Sequence, residues 1–595
     1  MNQFFKFVFA SCLGSLLALI ALTLLGFFAI AGLASSIGSM DAVKVKPNSV
    51  LTLDFDAAIP EKTNNIEMDP FSLEDKDVPG LTEIRKAIAS AKEDKNIKGI
   101  YLNLSTVPGG KATIAAIRDA LADFRSSGKF IVSYAHAYSQ DAYYLASVAD
   151  SILLNPIGAV DFRGYATILA FFKNMLDRGD VQVRVFYAGK FKSATEPFRV
   201  DKMSDENRTQ IREYVNALYD IMIRDIAASR KISETRLREI ADNYDGRRAE
   251  SALKAGLIDR IAYEDEAIES VRSLLGLSAK DKLSRVRLSD YCRTLVGKNK
   301  IEKDKIAVVY AEGGISDGDT DEPGSIIDGP YVRILRKIRK DDKVKALVLR
   351  INSPGGSVMA SENILREVQL CKAAGKPVVV SMGDVAASGG YYIACQADSI
   401  FAEESTITGS IGVFGLIPIL DKTLRNKIGI TFDSVRTAKY SAFGTPFYDF
   451  SPDESRMIQA EIDRVYDDFL GRVAKGRNMS VEQVNEIAQG RVWPGRKAKE
   501  IGLVDDIAGL DRAVAAAASL AGLEKYYTTE YPRTKTGLQQ LLEKIGSDKP
   551  KDDEITGYLA RRHLSPNNYT LYKEVRDLSR NTGIQARLPW IWSTY

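Results

Sequence analysis

Two stretches, "HAYSQDAYYLASVADSI" (136–152) and "DVAASGGYYIACQADSI" (384–400), are near copies set 248 residues apart in one chain. Seven of the ten positions from Tyr143 to Ile152 are identical to those from Tyr391 to Ile400. The likeness extends outward on both sides. Upstream, "LNLSTVPGG" (102–110) parallels "LRINSPGG" (349–356); downstream, "ALKAGLID" (252–259) parallels "AKEIGLVD" (498–505). The order is the same in both halves and the period far exceeds that of a solenoid, so the pattern is that of a duplicated domain. One difference stands out. Ser388 sits among Ala386, Ala387, Gly389 and Gly390, whereas the first copy has Gln140 in its place.

Each half alternates β-branched runs with helical patterns. The first reads "IKGIYLNL", "TIAAIRDALADFRSSG", "KFIVSYA"; the second reads "VKALVLRI", "ASENILREVQLCKAAG", "KPVVVSMG". Strands separated by helices of this length predict βα units, hence an α/β fold with a parallel sheet covered by helices in each copy. Long amphipathic helices are predicted near 205–229 and 453–474, where the helical spacing of apolar residues reads as scaffold. The charge-rich, weakly periodic stretch 276–303 reads as a linker. The domain organisation expected is therefore an N-terminal segment 1–40, a first repeat 41–275, the linker, a second repeat 304–525 and a tail 526–595. For the aromatic end "ARLPWIWSTY", the plain reading is a packed C-terminus and the other a membrane or subunit contact.

The 595 residues carry 81 Lys+Arg against 78 Asp+Glu, a formal charge of +3, with no basic run to match a phosphate backbone, so nucleic acid is not an expected partner. Cys12, Cys292, Cys371 and Cys395 form no CxxC pair, and neither a zinc site nor a disulfide framework is signalled. From Phe7 to Met40 no charged residue occurs, which is long enough to cross a bilayer core of about 30 Å as a helix. It reads as an uncleaved anchor preceded by Lys6. The competing reading is a cleaved signal peptide, with Ala29-Ile30-Ala31 as the cleavage site.

Ser388 follows a buried-strand pattern and opens a helix, in small surroundings that let a peptide approach; its other possible task is a simple helix cap. "NSPGG" (352–356) also lies between a strand and a helix, and the N–H groups of Gly355 and Gly356 could meet the charge developing in an acyl transfer, though a PGG stretch is commonly only a turn. A serine nucleophile needs a base. The chain has two histidines, His136 in the first copy and His563 in the tail, so a lysine is the natural variant. "AGKFKSATEPF" (188–198) aligns with "TAKYSAFGTPF" (437–447): Lys190 matches Lys439, but Lys192 matches Ser441. The asymmetry is reciprocal. Neither half alone holds both a serine at the 388 slot and an amine at the 192 slot; together they do.

On "NSPGG", "AASGGYY", "TGSIGVFG" and "FKSATEPF", in this order of roles and over nearly the whole chain to about residue 525, the sequence resembles the long, tandem-repeat form of the signal peptide peptidase A family. The resemblance implies two tandem domains of Clp protease/crotonase type after a transmembrane helix. It implies Ser388 as nucleophile, Lys192 as base, Ser410 of "TGSIG" orienting the lysine, and an oxyanion hole from Gly355 and Gly389. It further implies no cofactor and no metal, signal peptides as substrates, membrane lipid around the anchor, a homotetramer, and a place on the periplasmic side of the bacterial inner membrane. Thr195 and the tail depart from the pattern. Two other readings share such a fold, a crotonase-type acyl-CoA enzyme and an inactive membrane scaffold, and neither has a use for the complementary serine and lysine.

Overall fold

The computed structural model describes residues 44–55, 57–65, 78–278, 280–295, 302–533 and 584–587, with short helical pieces between 6 and 23. Contacts divide the chain into two units, Met1–Lys44 with Lys535–Pro550, and Val45–Thr534 with Lys551–Tyr595. The anchor predicted over 1–40 belongs to the first unit and lies almost wholly outside the described residues. Among those described, no helix is long and apolar enough to cross a membrane.

In the second unit the β-branched runs of the first repeat form strands β1 (Ser49–Leu53), β2 (Ile97–Asn103), β3 (Phe130–Ala135) and β4 (Ser151–Leu154). These are followed by β5 (Gln182–Ala188), β6 (Arg260–Ile261) and β7 (Ser284–Arg287). Six of them make a parallel sheet in the order β6-β4-β3-β2-β1-β7. Its central strands are buried along almost their whole length, as expected where helices such as Lys111–Arg125 cover a parallel sheet. The stretch expected to be a linker, 276–303, instead contributes to this repeat. Its "SRVR" is the edge strand β7 paired with β1, and Leu288–Leu295 is a helix packed beside it. Only Val286 of the strand is buried, which is why an edge strand rich in arginine reads as solvated linker.

The second repeat supplies β8 (Lys305–Glu312), β9 (Gly314–Ser316), β10 (Ser325–Ile327), β11 (Val344–Ser353) and β12 (Gly355–Ser357). It continues with β13 (Val378–Ala387), β14 (Ser399–Ala402), β15 (Ile407–Gly409) and β16 (Val413–Ile419). Last come β17 (Val492–Pro494), β18 (Asp506–Ile507), β19 (Tyr527–Tyr531) and, near the chain end, β20 (Gln585–Arg587). The main sheet runs β17-β15-β13-β11-β8-β19, with β14 joined to β13 and β18. Strand β19 pairs in parallel with β8, so this repeat reaches beyond the expected boundary at 525.

A third sheet, β10-β9-β12-β20-β16-β5, joins the halves. In it β5 of the first repeat pairs antiparallel with β16 of the second, from Ala188 opposite Val413 to Gln182 opposite Ile419. Two polar ties reinforce the junction. Arg350 in β11 donates to Glu61 at 2.9 Å, both side chains being buried. Asp384 in β13 accepts from the backbone N–H of Ala112 (2.7 Å) and Thr113 (3.0 Å) and from the Thr113 hydroxyl (2.6 Å) at the start of the helix Lys111–Arg125.

Candidate active site

The β5–β16 register carries the Lys192 loop to Ser388. Beyond Ala188 opposite Val413, the chain on one side continues through 189–192 while the other runs back through 412–410, so Lys192 and Ser410 come face to face. Close backbone approach makes room for this. A Cβ on Gly189 (φ 102°) would lie 2.5 Å from the Gln489 carbonyl carbon, and one on Gly490 (φ 74°) would lie 2.7 Å from the Lys192 Cβ, so side chains are barred at both positions. The loop is pinned by Phe191 N–H to the Gln489 carbonyl (2.8 Å). Arg491 stacks over Phe191 and Trp493.

Lys192 is 1% exposed, and its Nζ lies 2.8 Å from Ser388 Oγ, 3.0 Å from Ser410 Oγ and 3.2 Å from the Ser410 carbonyl oxygen. Desolvation holds the amine well below the ordinary lysine range, since burial penalises the charged form. A neutral amine hydrogen-bonded to a hydroxyl has the chemistry of a general base beside its nucleophile. Lys190, by contrast, is exposed and lies over the ring of Phe191.

Ser388 stands between β13 and the helix Gly389–Ala394 with φ 55° and ψ −115°, a conformation that costs a side-chain-bearing residue about 1–3 kcal/mol. Its hydroxyl does not cap that helix. The first copy shows the contrast: Ser139 accepts from Ala142 N–H at 3.2 Å as an ordinary cap, and Gln140 holds the 163–164 loop by accepting from Arg163 and Gly164 N–H. Thus the cap reading fits the first copy and not Ser388. The Ser388 N–H donates to the Gly409 carbonyl at 2.8 Å, and Ser410 N–H donates to the Arg491 carbonyl at 2.7 Å.

The "SPGG" turn packs directly on the serine helix, since a Cβ on Gly390 would come within 2.7 Å of the Ser353 carbonyl oxygen. Gly355 (φ 97°) takes a conformation that favours glycine, and its N–H donates to Ser353 Oγ at 3.2 Å. Gly356 is paired in the small sheet opposite Ile315 and Ala586. Gly389 is the first residue of the helix. Gly389 thus directly follows Ser388, and the Gly355 N–H is engaged by the Ser353 hydroxyl. Among the described residues no group of His, Cys, Asp and Glu is placed to hold a metal ion.

Sequence reasoning missed three contributors. Gln210, on a helix read as pure scaffold, is 1% exposed; its Nε2 donates to the Phe191 carbonyl and to Ser193 Oγ, while its Oε1 accepts from Val492 N–H. A glutamine on the apolar face of that amphipathic pattern was the available signal. Gly490 is the second. The third is Asp384, which sits in the PGG turn of the first copy so closely that a Cβ on Gly110 would lie 2.1 Å from its carboxyl carbon. The first copy's glycine turn thus receives a carboxylate from the second copy.

Comparison with known proteins agrees with this architecture. The sequence profile of Peptidase family S49 matches twice, over residues 123–278 and 371–524, and that of the Clp protease matches residues 330–406. The chain belongs to peptidase family S49, with two copies of its domain, and is a serine peptidase. It is similar to Protease 4 of Salmonella typhi, 39% identical over 476 residues covering 78% of this chain and 76% of that one. Protease 4 of Haemophilus influenzae is 38% identical over 72% of this chain and 71% of its own length. The chloroplastic serine protease SPPA of Arabidopsis thaliana is 32% identical over 92% of this chain and 78% of its own.

Proposed function

We propose that the chain is a membrane-anchored endopeptidase using a Ser388–Lys192 dyad to degrade cleaved signal peptides and other short apolar peptides. The observation that carries this reading is the buried 2.8 Å contact between Lys192 Nζ and Ser388 Oγ, made by residues from different repeats. Neutral Lys192 takes the Ser388 proton as Oγ attacks a peptide carbonyl, then gives it to the leaving amine. The same amine activates water to release the acyl-enzyme. Ser410 orients the amine through its hydroxyl and carbonyl. Gly355 and Gly389 serve the oxyanion, Gly355 by exchanging its Ser353 partner for the substrate oxygen. No cofactor enters the scheme.

The apolar run 7–40 supports anchoring in the bacterial inner membrane with the repeats on the periplasmic side. Exposed apolar side chains in the second repeat, among them Ile428, Ile430, Val435, Phe443 and Phe447, support assembly into a homotetramer through this segment. The test is labelling of the full chain with a fluorophosphonate. Ser388 is expected to carry the label, and Ser388→Ala, Lys192→Ala and Lys192→Arg to lose both label and hydrolysis of an apolar peptide by about a thousandfold or more. A Ser388→Ala chain that keeps substantial turnover overturns the assignment.

A further inference from the structure

Lys192 and Ser388 meet only while two segments from different repeats keep one separation, and a single buried amide spans them. Gln210 lies on the helix Asp205–Arg230 of the first repeat. Its Nε2 donates to the Phe191 carbonyl at 3.2 Å and to Ser193 Oγ at 3.0 Å, the residues on either side of Lys192. Its Oε1 accepts from Val492 N–H of the second repeat at 3.2 Å. Only one orientation of the amide satisfies both ends, because the Phe191 carbonyl can only accept and the Val492 N–H can only donate. Asn207, on the same helix face, adds its Oδ1 at 3.2 Å from Nε2. Gln210, Ser193 and Val492 are all buried, so water does not replace a lost partner.

From Val492 the connection runs on to the serines. Val492 opens β17, where it stands opposite Gly409 of β15. The Gly409 carbonyl accepts the Ser388 N–H at 2.8 Å, and the carbonyl of Arg491 accepts the Ser410 N–H at 2.7 Å. Glu213, three residues after Gln210 and so on the same helix face, pairs with Arg491 at 2.6 Å, and the Arg491 guanidinium lies over the Phe191 ring. One turn of a first-repeat helix thus grips the Lys192 loop on one side and, on the other, the backbone that fixes Ser388 and Ser410.

We infer that Gln210 is a positioning residue for catalysis, a spacer that sets the distance between the Lys192 loop and the strand pair carrying Ser388 and Ser410. This rests on the reading of Lys192 as the base. A positioning residue of this kind acts on the chemical step and not on substrate binding, since its bonds are made to the backbone behind the dyad.

The experiment uses the full chain with Gln210→Met, which keeps the side-chain volume and removes its polar end, and counts active sites by labelling Ser388 to completion with a fluorophosphonate. Per labelled site, hydrolysis of a fluorogenic apolar peptide is expected to show kcat about thirtyfold lower, with KM within about twofold of wild type. An amine no longer held against its two hydroxyls is better hydrated, so the acid limb of kcat/KM is expected to move up by about one pH unit. Partial unfolding lowers the number of labelled sites and moves neither quantity. Ser193→Ala, which removes one acceptor and little bulk, is expected to shift both in the same sense, with kcat about threefold lower. Wild-type kcat per site, or an unmoved acid limb, in Gln210→Met overturns the inference and leaves the dyad reading standing. Where the methionine chain does not fold, the same result in Ser193→Ala overturns it. Failure of Ser388 to label in the wild-type chain overturns both.

Discussion

Lys192 carries opposite consequences for stability and for activity. Burial holds its amine well below the ordinary lysine range, so between the folded and unfolded values folding must remove a proton that the unfolded lysine keeps up to about pH 10.4. The folded state binds fewer protons, and the stability this site allows is complete only above that pH and is lost as pH falls toward the depressed folded value. Lys192→Met is therefore expected to raise Tm, by more at pH 6 than at pH 9, while lowering kcat by about 10³-fold. Thermal melts at the two pH values check the first part; a gain that grows with pH would contradict the burial argument. For the wild-type chain, kcat/KM is expected to fall as pH drops through the folded value of this amine, giving an acid limb well below the ordinary lysine range. In the proposed dyad Ser410 acts through the lysine. Its hydroxyl, 3.0 Å from Nζ, is worth about 1 kcal/mol, so Ser410→Ala is expected to cost about fivefold in kcat with acylation still detectable. Equal pH–rate profiles for Ser410→Ala and wild type would make it a plain turn serine. At this scale the sequence was informative, because Ser388 and Lys192 stand out by residue type and by their absence from the opposite copy, and the structure brings them to 2.8 Å. Gln210 was legible only as a glutamine on a core face, because nothing local tells such a side chain which backbone groups it will satisfy.

At the scale of elements, the site depends on how strand ends and helix starts of different repeats meet. Strand β13 ends at the serine, and four residues earlier Asp384 caps the helix Lys111–Arg125 across the junction. Removing that carboxylate leaves two backbone donors and the Thr113 hydroxyl without their acceptor at a partly buried junction. Asp384→Ala is expected to cost about 3 kcal/mol in urea unfolding, with Asp384→Asn recovering part by keeping an acceptor oxygen. A loss under about 0.5 kcal/mol, the range of ordinary surface changes, would show that the junction is held elsewhere. The strands and helices themselves were legible, since alternating β-branched and amphipathic runs report burial on two faces and on one. Strand β7 was not. Its four residues "SRVR" bury only valine, and pairing with β1 rather than composition makes them a strand.

Across the whole molecule, Lys192 and Ser388 come from different halves, which the small sheet binds together. A chain of residues 304–525 lacks Lys192 and the β5 strand that pairs with β16, and it is expected to show no peptide hydrolysis even where it folds. Activity from that half, measured on the same fluorogenic peptide, would mean that its own residues supply a base. In the counterpart of the lysine loop, Ser441 stands at the slot of Lys192, and Lys439 is exposed and paired with Asp453. What the sequence alone determined was the duplication, the α/β class of each copy, and the complementary loss of serine from one and lysine from the other. These are properties of local pattern and residue chemistry, which survive without coordinates. Only the tertiary structure decided that the β5–β16 register sets Lys192 against Ser388 and Ser410, and that a carboxylate of one copy fills the glycine turn of the other. It alone placed the chain's last described residues between β12 and β16. Such choices are made by backbone pairing and close approach between segments hundreds of residues apart, where glycine clearances and strand edges, not local propensity, select the partner.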